Sequence, residues 1–509
     1  MRSVRLHGLL ILAAFSCSPN GLAQPAITVE RDALVGPAGP MHLRGANWGW
    51  WDCVESGDGA LMQAWGANVV RIAFFYTKIT HAPTSDELGG PGLALLDAMC
   101  RWAEEAGLYF ILDCHEPPGG CNTAEWCAGG ANRLWSDEGR QVRFMEMWRE
   151  LSRRYRHYDH LLAYELMNEP CPPKDYPAAD YRAMCTRLVD ALREEDPGRP
   201  CVVTGLNWGG PGSLTDDILL DRPGIIYTFH FYHPGILTHY RGGDYRYPGT
   251  VPLGTRWIAN SPEDWGPDGT RDWATLEKSF TAPENATRGQ VMLRSSGNSG
   301  TAWFDDVELL CDGEPVEFSD NRAFPPDMQS RDWQRERATS GQFAWDPDQG
   351  SEAPGALRIS GTDSYDAWVC ARGFQVQPGA MYTVRCRAKL ENATGSTYPM
   401  VAWFEATEQA IDRDWLREQM VPALEFARRN QVPLYCGEFG CSQGLPDGSG
   451  LRWMQDVASI LNEERIHWTQ WNWRESTGPG SMGVWVKRAD GYYGLNGGLW
   501  RVLRDAWTD

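Results

Sequence analysis

The chain has 509 residues, 42% of them hydrophobic and 22% charged, with a formal charge of −20. That length exceeds one simple core and calls for two domains, in a composition typical of globular proteins. So acidic a surface repels phosphate, which argues against nucleic acid and anionic membranes as partners and leaves a neutral polymer such as a polysaccharide open. Met1 to Ala23 carries Arg2 and Arg5, an apolar run from Leu9 to Phe15 and a small-residue end, the pattern of a cleaved secretory signal. A secreted or periplasmic protein is therefore expected. A lipid anchor on Cys17 is the weaker alternative, because Phe15 fits that cleavage pattern poorly. No later run reaches the roughly 18 apolar residues of a spanning helix.

After the leader, strands are expected at His42 to Trp48 and Asn68 to Phe74, with a short helix ending at Trp65-Gly66 between them. Helical apolar spacing from Leu93 to Gly107 precedes a strand at Tyr109 to His115. A long helix, Glu138 to Tyr158, with Val142, Met145, Met147, Trp148 and Leu151 on one stripe, leads into LLAYELMNEP, Leu161 to Pro170. That segment reads as a buried strand broken at Asn168-Glu169-Pro170. A helix near Tyr181 to Glu195 and strands at Pro200 to Trp208 and Gly224 to Tyr232 follow. The alternation then stops for about 170 residues. It resumes with a helix from Asp412 to Asn430, the strand Pro433 to Gly440 ending near Glu438, a helix from Gly450 to Arg465, the strand His467 to Trp473, and a helix near Leu499 to Trp507. Eight strand-then-helix units close a parallel (β/α)8 TIM barrel, and no Gly-rich phosphate loop supports an open doubly wound sheet.

The interruption, residues 240–406, alternates in short runs such as Gln290 to Arg294, Ala302 to Leu309, Ala356 to Ile359 and Tyr382 to Ala388. That texture describes an all-β antiparallel sandwich, placed after the sixth strand and hence on the cleft side of the barrel. Trp303 and Trp403 read as core. Asp305-Asp306 offers a calcium too few ligands.

Glu169 and Glu438 each end a buried parallel strand and so face one cleft, the arrangement needed for acid and nucleophile work on a glycosidic bond. The plainer readings are strand-end charges for the glutamates, a turn-capping amide for Asn168, core histidines for His115 and His230, and a rim-packing aromatic for Trp471. The 25 Trp suit the apolar faces of sugar rings, though most must fill core; Trp48, Trp50, Trp51 and Trp208 are even between platform and packing. Fourteen cysteines permit disulfides in an exported chain, with Cys121 and Cys127 the best local pair and Cys114 and Cys436 inert within strands. With no CxxC pair and no His cluster at ligand spacing, no metal or other cofactor is expected.

With these residues in place, the sequence resembles glycoside hydrolase family 5, the cellulase family, over about residues 27–239 and 407–509. The matching residues end strands two, three, four, six, seven and eight: Arg71, His115, Asn168-Glu169-Pro170, His230 with Tyr232, Glu438 and Trp471. The resemblance implies Glu169 as acid/base and Glu438 as nucleophile in a retaining hydrolysis. It also implies Arg71 and Tyr232 supporting Glu438, Asn168 on the sugar 2-hydroxyl, His115 and His230 orienting carboxylates or hydroxyls, and Trp471 as the floor beneath the sugar. A monomer acting on β-glucan or mannan is expected, most simply an endo-β-1,4-glucanase, with β-1,3-glucan and xyloglucan open. An inactive carbohydrate-binding barrel and a metal-dependent barrel are the other classes. The interruption resembles a sugar-binding jelly-roll module in which Asp272 to Pro283 and Gly300 to Leu309, normally last, precede Phe318 to Phe324 and Phe374 to Ala388. That order implies a circular permutation.

Overall fold

The computed structural model describes residues 27–508 except 50–52, 83–84, 174–175, 241, 262–265, 320–322, 325–332, 337–341, 362–366, 371 and 476–479. The leader, with Cys17, and Trp50 and Trp51 lie outside the described residues. Contacts divide the chain into two compact units, one ending at Thr250 and resuming at Ala410, the other Val251–Gln409. Residues 240–250, read from sequence as the start of the insert, stay with the barrel unit. Tyr247 fixes them there: its N–H donates to Ser449 Oγ at 3.0 Å and its hydroxyl to Asp456 at 2.6 Å.

In the first unit eight strands form a closed parallel barrel: β1 (Arg44–Trp48), β2 (Val69–Phe75), β3 (Tyr109–Glu116), β4 (Leu161–Glu165), β5 (Cys201–Thr204), β6 (Ile225–Phe231), β7 (Leu434–Phe439) and β8 (His467–Gln470). Each pairs with the next, and β8 with β1. Apolar runs covered on both faces explain why β2, β4, β6 and β7 are buried at every position. Helices follow seven of the strands. After β5 the chain makes only 3₁₀ turns at Pro211–Ser213 and Asp216–Ile218, so the eighth helix that a regular alternation calls for is replaced by turns. The helix Glu138–Tyr155 turns Phe144, Met147, Trp148 and Leu151 inward. Val142, assigned to that stripe from its spacing, is 44% exposed.

A small antiparallel sheet, Thr28–Glu30, Ala33–Gly36 and Gly39–Pro40, precedes β1. Its Leu34 joins Val69, Ile111, Leu162, Val202, Ile226 and Tyr435 in one buried cluster at the amino ends of the strands. The opposite, carboxyl end is left for polar residues, where such barrels carry their chemistry.

The second unit is a pair of six-stranded sheets around one apolar core that contains Trp403. The strand Gly269–Thr281 and the strand Thr301–Cys311 both pair antiparallel with Met381–Ala393, and Arg288–Ser296 pairs with Ser396–Ile411. Trp303 is buried as well, its indole N–H donating to Asp346 at 2.8 Å with Lys389 above the ring. Asp305 and Asp306 accept from the N–H and hydroxyl of Ser351, so both carboxylates are spent on fixing a loop.

Candidate active site

The site is built outward from Arg71. This side chain, in the middle of β2, is fully buried and must stay charged. Its Nε and Nη2 make a fork on the two oxygens of Glu165, each at 2.8 Å. Nη2 also reaches Asn168 Oδ1 at 2.8 Å and Asp113 Oδ2 at 3.0 Å, while Nη1 donates to Asn47 Oδ1 at 2.9 Å and Glu438 Oε1 at 2.7 Å. One guanidinium therefore anchors three carboxyls and two amides. Such a charge is tolerable in a barrel core only because every direction it faces holds an acceptor.

Glu169 does not end the strand as the sequence suggested. β4 stops at Glu165, and Leu166 and Met167 are buried in the turn that follows. Glu165, pointing into the barrel, takes the strand-end position against Arg71, and Glu169 is lifted one layer higher. Its backbone sits at φ +29, a region that side chains other than glycine adopt at a cost. Hydrogen bonds on both sides hold it there: Asn168 N–H to Cys114 O at 2.9 Å and Asn122 Nδ2 to Glu169 O at 3.2 Å.

The Glu169 carboxyl lies 2.9 Å from His230 Nδ1. Burial pushes it up to about 7, with His115 and Arg71 opposing and Glu165 adding to the rise. His230 and His115 are both pushed down to about 4, again by burial first. Both imidazoles are therefore neutral at working pH and orient rather than carry charge.

Glu438 reaches the cleft from β7 through a register shift between Cys436 and Glu438. Gly437 allows it: a Cβ there would lie 2.9 Å from Thr228 Oγ1 and 3.1 Å from His230 Nε2. The carboxylate is held at both oxygens, Oε1 by Arg71 and Oε2 by the Tyr232 hydroxyl at 2.8 Å. Oxygens of Glu169 and Glu438 and the His230 nitrogen between them lie within 4.8 Å of one another. Among the described residues this is the one group of three donors that could hold a metal ion. A cation there would take the place of a group bound between the two carboxyls.

The cleft above them, about 510 Å³, is lined by His115, Trp126, Glu169, Asn207, Trp208, His230, Tyr232, His233, His239, Glu438 and Trp471. Trp471 lies against His115 with ring centroids 5.3 Å apart and planes 14° from parallel, and Trp126 meets that imidazole tilted by 39° at 5.0 Å. Trp208, 39% exposed, belongs to the lining, whereas Trp48 is core. All eight residues singled out in the sequence thus converge on one network. Sequence reasoning missed Asn47, Asp113 and Glu165, whose signal was a polar residue inside an apolar strand. It also missed Trp126, Asn207, His233 and His239, which sit on loops without a readable pattern. The expected Cys121–Cys127 bridge is absent. Both are free thiols, because the Cys121 Sγ turns to the Asn168 carbonyl at 3.3 Å and Cys127 Sγ accepts the Cys121 N–H instead.

Residues 37–255 match the family model described as cellulase, glycosyl hydrolase family 5. The barrel is a glycoside hydrolase family 5 barrel. Endoglucanase C of Acetivibrio thermocellus is 28% identical over 208 residues, 39% of this chain and 59% of that protein. A probable glucan 1,3-beta-glucosidase A of Aspergillus fumigatus is 31% identical over 134 residues, 26% of this chain and 32% of that protein. This chain thus aligns with about three fifths of the first relative's length. A crystal structure described as a glycoside hydrolase superposes with a TM-score of 0.50 at 16% identity, covering 92% of this chain and 99% of that one, which supports the fold. In the family 5 barrel, the matched segment spans β1 to β6 and stops before Glu438.

Proposed function

We propose that the protein is a secreted, monomeric glycoside hydrolase that cleaves a β-1,4-glucan within the chain and with retention at the anomeric carbon. The observation that carries the mechanism is the separation of the two carboxyls, within 4.8 Å between facing oxygens. Direct attack needs carboxyl groups about 5–5.5 Å apart, whereas an inverting pair stands at about 6.5–9.5 Å to admit a water. Glu169, held protonated by burial beside a neutral imidazole, gives its proton to the departing glycosidic oxygen. Glu438, fixed at both oxygens by Arg71 and Tyr232, attacks the anomeric carbon and forms a glycosyl ester. Glu169, now ionised, takes a proton from water, which opens that ester and returns Glu438. The β-1,4-glucan assignment rests on the endoglucanase relatives. The glucan 1,3-beta-glucosidase relative adds β-1,3-glucan to the panel against which it is measured, with mannan beside it. The leader pattern supports secretion, and no helix among the described residues is long and apolar enough to cross a membrane.

A 2-deoxy-2-fluoro cellobioside with a good leaving group tests the reading. Mass spectrometry is expected to find one added glycosyl group on the peptide containing Glu438. No adduct, or an adduct elsewhere, overturns the nucleophile assignment.

A further inference from the structure

The feature that the proposed mechanism leaves unused is Asp113. It is fully buried in β3, two residues before His115, and its two oxygens have different surroundings. Oδ2 lies 2.7 Å from His115 Nδ1 and 3.0 Å from Arg71 Nη2, while Oδ1 has no hydrogen-bond partner. Burial pushes this carboxyl up to about 7, Arg71 opposing. When the carboxyl takes up a proton, the unpartnered Oδ1 is the oxygen free to hold it, so Oδ2 accepts from its two donors in either state. The His115 proton is therefore confined to Nδ1, and Nε2 presents a lone pair.

That lone pair faces Asn168 Nδ2 at 3.3 Å, and Asn168 Oδ1 receives Arg71 Nη2 at 2.8 Å. The amide is thus oriented from both ends, oxygen toward the guanidinium and nitrogen toward the imidazole. One N–H of Asn168 remains for a ligand. With the other His115 tautomer, two N–H groups would oppose each other, and flipping the amide would set its nitrogen against Arg71.

We propose that Asp113 is a positioning residue that fixes the tautomer of His115 and, through it, the face that Asn168 turns to the sugar 2-hydroxyl. The inference rests on the proposed hydrolysis for its kinetic half and on geometry alone for the tautomer. It predicts a division of effects that a merely structural role does not. Asp113→Leu removes the acceptor, and Asp113→Asn keeps a carbonyl oxygen able to accept at the Oδ2 position.

The test pairs nitrogen-15 spectra of imidazole-labelled protein with kinetics on an aryl cellobioside and its 2-deoxy counterpart at the ring being cleaved. Native protein and D113N are expected to show His115 protonated at Nδ1, and D113L to lose that signature. D113L is expected to lower kcat/KM about 100-fold on the 2-hydroxy substrate and less than about threefold on the 2-deoxy one, with D113N restoring most of the loss. Equal losses on both substrates, or native His115 protonated at Nε2, overturn the proposal. If D113L does not fold, D113A removes the same acceptor and carries the same readouts, and the native spectrum alone decides the tautomer. A native protein inactive on both substrates sinks the hydrolase reading and leaves the tautomer result standing.

Discussion

Glu165 and Glu169 are the same residue type four positions apart in one segment, and the fold gives them opposite surroundings. Glu165 ends β4, has no exposure and is gripped by the fork of Arg71. Glu169 sits beyond the strand on a left-handed backbone, with 16% of its side chain exposed to the cleft and a neutral imidazole for a neighbour. The lower carboxyl holds the fully buried Arg71 guanidinium in place, and the upper one faces the cleft. What separates structure from chemistry here is one turn of chain, not residue identity.

The largest effect belongs to the upper layer. Glu438→Gln is expected to lower kcat on an aryl cellobioside by about 10⁴-fold or more with the fold intact by circular dichroism. Glu169→Ala is expected to cost about 10²–10⁴-fold on a substrate whose leaving group needs a proton, and far less on a dinitrophenyl glycoside, which does not. Equal losses on both would mean that Glu169 is not the acid. The lower layer should answer in stability instead. Glu165→Gln sets amide N–H groups against Arg71 and is expected to cost about 3 kcal/mol in denaturant unfolding.

Acidity sharpens the contrast. In the proposed mechanism Glu169 acts protonated, and its carboxyl is pushed up to about 7, so kcat/KM is expected to fall about tenfold per pH unit above that value. The same shift has a sign for stability. Between its unfolded value and about 7 the folded state binds more protons through Glu169, so this residue's contribution falls as pH rises through that window. Glu169→Gln is therefore expected to be more stable than the native protein at pH 8, by an amount on the order of 3 kcal/mol, and to match it in acid. Destabilisation by Glu169→Gln at pH 8 would place both carboxyls in the structural layer. The smallest effect is that of a chelator, which is expected to leave kcat/KM within about twofold; a larger loss would favour a cation between Glu169, His230 and Glu438.

Much of this was legible beforehand because buried parallel strands write themselves as continuous apolar runs. Arg71, His115, Glu169 and Glu438 each broke or ended such a run. The layer beneath was not legible. Asp113 and Glu165 look like ordinary interruptions of a strand until Arg71 is seen to need them, and that pairing spans β2, β3 and β4. The sequence places the end of β4 too late because Leu166 and Met167 are apolar in a buried turn just as they would be in a strand. The turns after β5 carry no helical pattern in the sequence, and only the regularity of the alternation suggests a helix there. Cys121 and Cys127 are close in sequence, but the Cys121 Sγ turns to the Asn168 carbonyl and the Cys127 Sγ accepts the Cys121 N–H, directions that spacing does not reveal.

The face-to-face placement of Glu169 and Glu438 is tested most directly by the configuration of the first product. Proton NMR during early hydrolysis of a cello-oligosaccharide should show the β-anomer at the newly formed reducing end, followed by slow mutarotation. The α-anomer appearing first would mean that a water stands between the two carboxyls, and would contradict direct attack by Glu438.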